Sequence, residues 1–240
     1  MKNIAVIFAG GIGRRMNQTA LPKQFLKLHG KEIIIHTLEH FQNHPQIDGI
    51  VIACVEDWVG FMKELLVKYN INKVGDVVVG GKTGQESIYN GLKRASELYG
   101  TKTNVLVHDG VRPLINEKTI TNCIESIEKN GTGITTAPVT ETIIRVNDEA
   151  EIVDVIDRTD CLLARAPQGF RLKELLETHE KARKIGKNDF IDSATLMKWN
   201  GYKLSVVEGP VENIKITTPM DYYNFKAFVE AKENAELFGV

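Results

Sequence analysis

The stretch that most constrains this chain is Ile4-Ala5-Val6-Ile7-Phe8-Ala9-Gly10-Gly11-Ile12-Gly13-Arg14-Arg15-Met16, followed shortly by Leu21-Pro22-Lys23-Gln24-Phe25. An apolar run that ends in glycines predicts a buried strand, and the glycines let the backbone turn and bring its N–H groups close to an anion. Arg14, Arg15 and Lys23 add positive charge and, in the arginines, forked donors. Backbone donors and fixed cations together suit a polyphosphate.

Three loop chemistries compete for this stretch. A dinucleotide fingerprint needs a third glycine, and Gly11-Ile12-Gly13-Arg14-Arg15-Met16 offers Met16 instead, with two arginines crowding the pyrophosphate. An ATPase-type P-loop needs Gly-Lys-Ser or Gly-Lys-Thr after its second glycine, and this stretch lacks it. A nucleotidyltransferase loop, in which cations grip a triphosphate while its α-phosphate is attacked, accounts for the basic residues.

The rest of the chain predicts an α/β domain to carry that loop. Ile34, Thr37, Leu38 and Phe41 share a helical face before His44-Pro45, and Ile47 to Val55 reads as a strand. Another helix over Trp58–Tyr69 and a strand over Val74–Val79 follow. Such alternation calls for a mostly parallel sheet with helices on both faces, and for ligands at the carboxyl ends of its strands. Gly80-Gly81-Lys82-Thr83-Gly84-Gln85-Glu86-Ser87 would open a helix on that rim, and Asn104-Val105-Leu106-Val107 would end there in His108-Asp109-Gly110-Val111-Arg112-Pro113. An acid at a strand end is placed to hold Mg²⁺ against phosphates. Asp109 lies seven residues before the next expected helix start, Asn116, so capping does not explain it. His108 reads as a buried, satisfied histidine.

Past a strand at Gly133–Val139, Thr142–Val146 and Glu151–Asp157 flank a polar turn and predict a β-hairpin, an arm at about 139–158. A lone hairpin is marginal in water, so a second subunit is expected to cover it. Ala166-Pro167-Gln168-Gly169-Phe170 leads to a helix from Leu172 to about Ile185, Asp192 opens another helical stretch, Lys203–Val207 is a strand, and Pro219 begins a terminal helix capped by Thr218. No linker, repeat or low-complexity stretch interrupts 1–240, and a single domain is expected. A formal net charge of −1 gives no support for nucleic-acid binding, and no segment approaches the ~20 apolar residues of a membrane span. Without a signal-peptide pattern at the start, a cytoplasmic location is expected. Cys54, Cys123 and Cys161 are widely spaced and read as buried free thiols.

Taken together, Gly10–Met16, Pro22-Lys23-Gln24, the Gly80-Gly81 to Ser87 loop, His108-Asp109 with Arg112-Pro113, and Asn213-Ile214-Lys215-Ile216-Thr217-Thr218-Pro219 resemble the IspD-type cytidylyltransferases, from residue 4 to about 225. That family includes enzymes for 2-C-methyl-D-erythritol 4-phosphate and for ribitol 5-phosphate. The resemblance implies a Rossmann-like nucleotidyltransferase fold with a protruding dimerisation arm, CTP, Mg²⁺ or another divalent cation, a small phosphorylated polyol, and a homodimer. It implies catalytic roles for Arg15 and Lys23 at the triphosphate and for Lys215 at the α-phosphate. Ala9, Gly10, Gly11, Gly13 and Gly110 would line the substrate, Gly80, Gly81 and Ser87 would sit at the cytosine, and Arg112 would shape the site from below. Asp109 would take the metal or the ribose region with Glu212 as a second, metal-side acid, and Arg158 on the arm would bind the acceptor phosphate of the partner's site.

This chain departs from the pattern on the acceptor side. Methylerythritol-phosphate enzymes of the family commonly carry Thr-Pro-Gln and Thr-Asp-Glu-Ala-Ser, where this chain has Ala166-Pro167-Gln168 and Ile191-Asp192-Ser193-Ala194-Thr195. A site lacking two hydroxyls should not hold the same polyol equally well. The expectation is therefore a CDP-polyol-forming cytidylyltransferase leaning toward a pentitol phosphate, with methylerythritol phosphate close behind. Gly84 and Gln85, standing where the family often has arginine, keep open a same-fold enzyme for a sugar 1-phosphate or another nucleotide. A non-enzymatic nucleotide sensor would be expected to have lost Arg15, Lys23 or Asp109, and all are present.

Overall fold

The computed structural model describes residues 1–10 and 21–238. The chain begins with strand β1 (Lys2–Ala9), makes a small antiparallel ribbon from β2 (Lys27–Leu28) and β3 (Lys31–Glu32), and enters helix α1 (Ile33–Asn43). β4 (Gly49–Cys54), α2 (Val59–Lys68), β5 (Val74–Val79), α3 (Gly84–Tyr99) and β6 (Thr103–Asp109) follow in regular alternation. The second half runs through α4 (Glu117–Asn130), β7 (Thr132–Pro138), a hairpin of β8 (Ile143–Val146) and β9 (Ile152–Ile156), β10 (Leu162–Arg171), α5 (Leu172–Lys184), α6 (Ser193–Trp199), β11 (Val206–Glu208) and α7 (Pro219–Phe238).

The main sheet has seven strands in the order β11-β7-β10-β6-β1-β4-β5. β1 pairs in parallel with β4 on one side and β6 on the other, so the winding reverses direction at β1 and leaves a crevice at the carboxyl ends of β1 and β6. Alternation within β1 divides the core. Ala5 and Ile7 face α1, α2 and α4, whereas Ile4 and Val6 face α3, α5 and α6. In α4, Ile120, Ile124 and Ile127 recur at helical spacing and are fully buried or nearly so, each contributing about 1.5–3 kcal/mol. A third cluster joins Leu28, Ile33, Val111 and Ile216 to Phe225 of α7. Among the described residues no helix is long and apolar enough to cross a membrane.

β10 is the largest departure from the sequence expectation, which put no strand before α5. It lies inside the sheet, antiparallel to both β6 and β7. Proline argues against a central strand, and Pro167 is tolerated because the ladder slips there: Ala164 pairs with Thr136 and Gln168 with Ile134, leaving Arg165–Pro167 outside the regular pairing. Farther along, Gly169 makes room for α4, since a Cβ there would stand 2.6 Å from Ile127 Cδ1. Cys54 and Cys123 are buried free thiols as expected, whereas Cys161 is only partly buried because it sits where the hairpin returns to the sheet. The hairpin forms a separate two-stranded sheet.

Candidate active site

The crevice is built by close approaches that only small residues allow. A Cβ on Gly10 would stand 2.6 Å from Ser87 Oγ, and one on Gly110 2.5 Å from Ile34 Cδ1 and 3.2 Å from Ala9 Cβ. Gln24, 1 % exposed, donates from Nε2 to Ala9 O at 2.8 Å and holds the Lys23–Phe25 turn beside the end of β1. The resulting cleft, about 340 Å³, is lined by Ala9, Gly10, Lys23, Ser87, Asp109 and Lys215 among others.

Its second wall is the loop into α3. Gly80 N–H donates to Cys54 O at 2.6 Å, Gly81 N–H donates to Ser87 Oγ at 3.0 Å, and Ser87 Oγ donates to Thr83 O at 2.9 Å. Thr83 caps α3 by accepting from Glu86 N–H, and Glu86 turns back to accept from Lys82 N–H at 2.8 Å. Ser87 thus spends its hydroxyl in shaping this loop. Gln85 does work that its sequence position does not announce: its side chain donates to Lys187 O and accepts from Phe190 N–H, tying the loop before α6 to the first turn of α3.

Asp109 is the electrostatic centre. Arg112 Nε donates to its Oδ2 at 3.0 Å, and the Lys215 ammonium stands 2.6 Å from Oδ1. Burial alone would push the carboxyl up, but the Arg112 and Lys215 charges outweigh it and hold Asp109 at about 2. The two cations differ in access. Arg112 has an 8 % exposed side chain and also donates from Nη1 to Asn213 O at 2.7 Å, so it is locked in place. The Lys215 side chain is 40 % exposed and faces the cleft. Asn213, fully buried, in turn donates from Nδ2 to Ala166 O at 2.8 Å and ties this cluster to β10. Beside them, burial pushes His108 down to about 3 against the opposing pull of Asp109. A neutral ring donating from Nε2 to Arg112 O at 3.0 Å is a structural prop and a poor base.

The structure brings Ala9, Gly10, Lys23, Ser87, Asp109 and Lys215 to one cleft, with Gly80, Gly81, Gly110 and Arg112 supporting them. Gly11, Gly13, Arg14 and Arg15 lie outside the described residues. The capping role weighed against Asp109 belongs to Asn116, whose Oδ1 accepts from Thr119 N–H. Glu212 is not among the residues lining this cleft; it lines another with Glu39, Asn116 and Lys232. In the tight turn there, Asn213 N–H donates to Pro210 O and Ile214 N–H to Glu212 O, and the Asn213 side chain turns inward to Ala166 O. Arg158 is exposed at the base of the hairpin and donates to Thr140 O at 2.8 Å. Among the described residues no three His, Cys, Asp or Glu side chains form a metal cage. One buried carboxylate facing an anion cleft still fits a divalent cation that brings phosphate oxygens and waters as its other ligands.

Comparison with known proteins places this geometry. The family model for IspD, described as 2-C-methyl-D-erythritol 4-phosphate cytidylyltransferase, matches residues 3–231. The chain belongs to the IspD cytidylyltransferase family. It is 50% identical over 240 residues to a ribitol-5-phosphate cytidylyltransferase of Streptococcus agalactiae, covering 100% of both chains. Identity to a 2-C-methyl-D-erythritol 4-phosphate cytidylyltransferase of Clostridium botulinum is 38% over 220 residues, covering 92% of this chain and 94% of the other. The crystal structure of 4-diphosphocytidyl-2C-methyl-D-erythritol synthase from Anaerococcus prevotii superposes with a TM-score of 0.82 at 27% identity, covering 95% of this chain and 96% of that one. As an IspD-family cytidylyltransferase, the enzyme forms a CDP-polyol, and the cleft beneath β1 and β6 is the candidate for its nucleotide site.

Proposed function

We propose that this enzyme transfers CMP from CTP to ribitol 5-phosphate, forming CDP-ribitol and releasing pyrophosphate. The observation that carries this acceptor is the end-to-end similarity to the streptococcal ribitol-5-phosphate enzyme, at 50% identity against 38% for the methylerythritol-phosphate relative. The acceptor side of the chain agrees with it, since Ala166 and Ile191 replace threonines common to the methylerythritol-phosphate enzymes.

An oxygen of the acceptor phosphate attacks the α-phosphorus of CTP; the new P–O bond forms as the bond to the departing pyrophosphate breaks. Such a step needs positioning and charge neutralisation more than a covalent nucleophile from the protein. Lys215, exposed to the cleft and aimed by Asp109, would donate to the α-phosphate as negative charge grows there. Lys23 and Arg15 would hold the triphosphate, with the backbone of Ala9, Gly10, Gly11 and Gly13 around it. Gly80 and Gly81 would meet the cytosine, Ser87 fixing their loop. Gly110 leaves room beneath the strand end, and Arg112 holds Asp109 ionised. A divalent cation such as Mg²⁺, when bound, would be held by Asp109 and neutralise phosphate charge.

The whole chain would work as one domain with an arm at about 139–158, in the cytoplasm where CTP is made. Ile144, Val146, Ile152, Val153 and Val155 leave the hairpin heavily apolar and exposed, which suits coverage by a second copy in a homodimer. Arg158 would then reach the acceptor phosphate bound mainly by the partner. If sites are shared in this way, inactive Arg158→Ala and Lys23→Ala enzymes recover activity when their subunits exchange; no recovery after proven exchange removes the shared site.

The acceptor is tested by pyrophosphate release with CTP and Mg²⁺ against ribitol 5-phosphate, methylerythritol 4-phosphate, other polyol phosphates and sugar 1-phosphates, repeated with UTP and ATP. Ribitol 5-phosphate with CTP is expected to give the highest kcat/KM. Preference for methylerythritol 4-phosphate would overturn the proposed acceptor, and preference for a sugar 1-phosphate or another nucleotide would move the enzyme to the same-fold alternative.

A further inference from the structure

Outside the cleft described above, the most unusual side chain is Arg165. It lies in the slipped segment of β10, between Ala164 and Gln168, at the same rim of the sheet as Asp109. Its Nε is buried without a hydrogen-bond partner, and among the described residues no carboxylate pairs with its guanidinium. Burial and the facing charge of Arg112 both press on it. A partly buried cation beside a second, already committed cation is costly, and an anion relieves both penalties.

The topology says which anion. The nucleotide cleft is lined by the end of β1, the Lys23 turn, the loop into α3, Asp109, Val111 and Lys215, and Arg165 is not part of that lining. β10 lies on the opposite side of β6 from β1, so Asp109, at the end of β6, stands between Arg165 and the nucleotide loops. The segment is held in register with the site by Asn213, whose Nδ2 donates to Ala166 O and whose carbonyl accepts from Arg112. A second phosphate brought toward the α-phosphate from the side away from those loops would approach the strand segment that carries Arg165.

We infer that Arg165 is a ligand for the phosphate of the acceptor polyol, contributed by the same subunit whose Lys215 faces the nucleotide. The inference rests on the proposed polyol-phosphate reaction. A forked guanidinium on a phosphate would fix the attacking oxygen's direction as well as add affinity, and it places acceptor recognition on a residue adjacent to Ala166, where the chain lacks a family threonine hydroxyl.

The test uses the full-length enzyme with Arg165→Met and Arg165→Lys, and measures kcat and KM separately for CTP and ribitol 5-phosphate, alongside thermal unfolding. Arg165→Met is expected to raise the acceptor KM by about tenfold or more with the CTP KM changed less than twofold, and Arg165→Lys to recover part of the loss. An unchanged acceptor KM in a folded variant, or an equal rise in both KM values, overturns the assignment. Should Arg165→Met fail to fold, Arg165→Lys decides alone: it keeps the charge but not the fork, and an acceptor KM raised severalfold supports the inference while a wild-type value overturns it. Wild-type enzyme assayed in parallel separates the two ideas. If it ignores ribitol 5-phosphate but uses another polyol phosphate, the proposed acceptor fails and the Arg165 comparison is made with the acceptor that works. If it uses no polyol phosphate at all, both fail.

Discussion

Asp109→Ala is expected to lower the stability of the protein by about 3–5 kcal/mol, the cost typical of removing one partner from a buried ion pair. Arg112 is sealed from solvent with an 8 % exposed side chain, and its remaining fixed contact is the Asn213 carbonyl, so the mutation strands a buried cation. Lys215 is half open to the cleft and adds less, because water replaces much of what it loses. Asp109→Asn isolates the charge from the shape. Because the folded carboxyl, at about 2, lies below its ordinary 3.8, its ionisation contributes stability that is complete above pH 3.8 and is lost as pH falls through 2. The gap between wild type and Asp109→Asn should therefore be full at pH 7 and narrow by about 2 kcal/mol as the pH approaches 2. Urea unfolding across that range measures it. A loss below about 1 kcal/mol at pH 7 for both variants would mean that Asp109 is not the counter-charge that holds Arg112.

Several residues of the candidate cleft were legible in the sequence because they stand in glycine loops and at strand ends on one rim of the sheet. Gly10 must be small since Ser87 closes on it, Gly80 and Gly81 turn in a loop stapled by Ser87, and Asp109 ends a strand whose seven residues are all buried. What was not legible depends on direction and on distant pairing. Glu212 and Lys215 are three residues apart, yet one lines a different cleft and the other meets Asp109. β10 hid behind Pro167, since nothing in Ala164–Gln168 signals that the ladder slips there to admit it. Asn213 lies 101 residues from Arg112 and 47 from Ala166, and no spacing rule announces that it joins them. Arg165 was passed over because it belongs to no motif; its significance lies in the partners it lacks.

Lys215→Ala is expected to reduce kcat by roughly 10²- to 10³-fold while leaving the fold and most of the affinity for CTP intact, as when a single oriented donor to a developing anion is deleted. The two effects separate because the residue has two relationships. Toward Asp109 it is the outer, more exposed cation, and Arg112 continues to neutralise the carboxylate when it is gone. Toward the cleft it is the ammonium that an α-phosphate would draw, and that attraction grows as charge accumulates in the transition state. Lys23→Ala is expected to act differently: Lys23 sits on the turn fixed by Gln24 to the end of β1, where it would grip the triphosphate before and during reaction, so KM for CTP should rise together with a fall in kcat. Steady-state kinetics with an equilibrium binding constant for CTP distinguishes the two patterns. Wild-type turnover in Lys215→Ala would remove that residue from the chemistry, and identical kinetic patterns in both variants would mean that the two lysines serve binding alike.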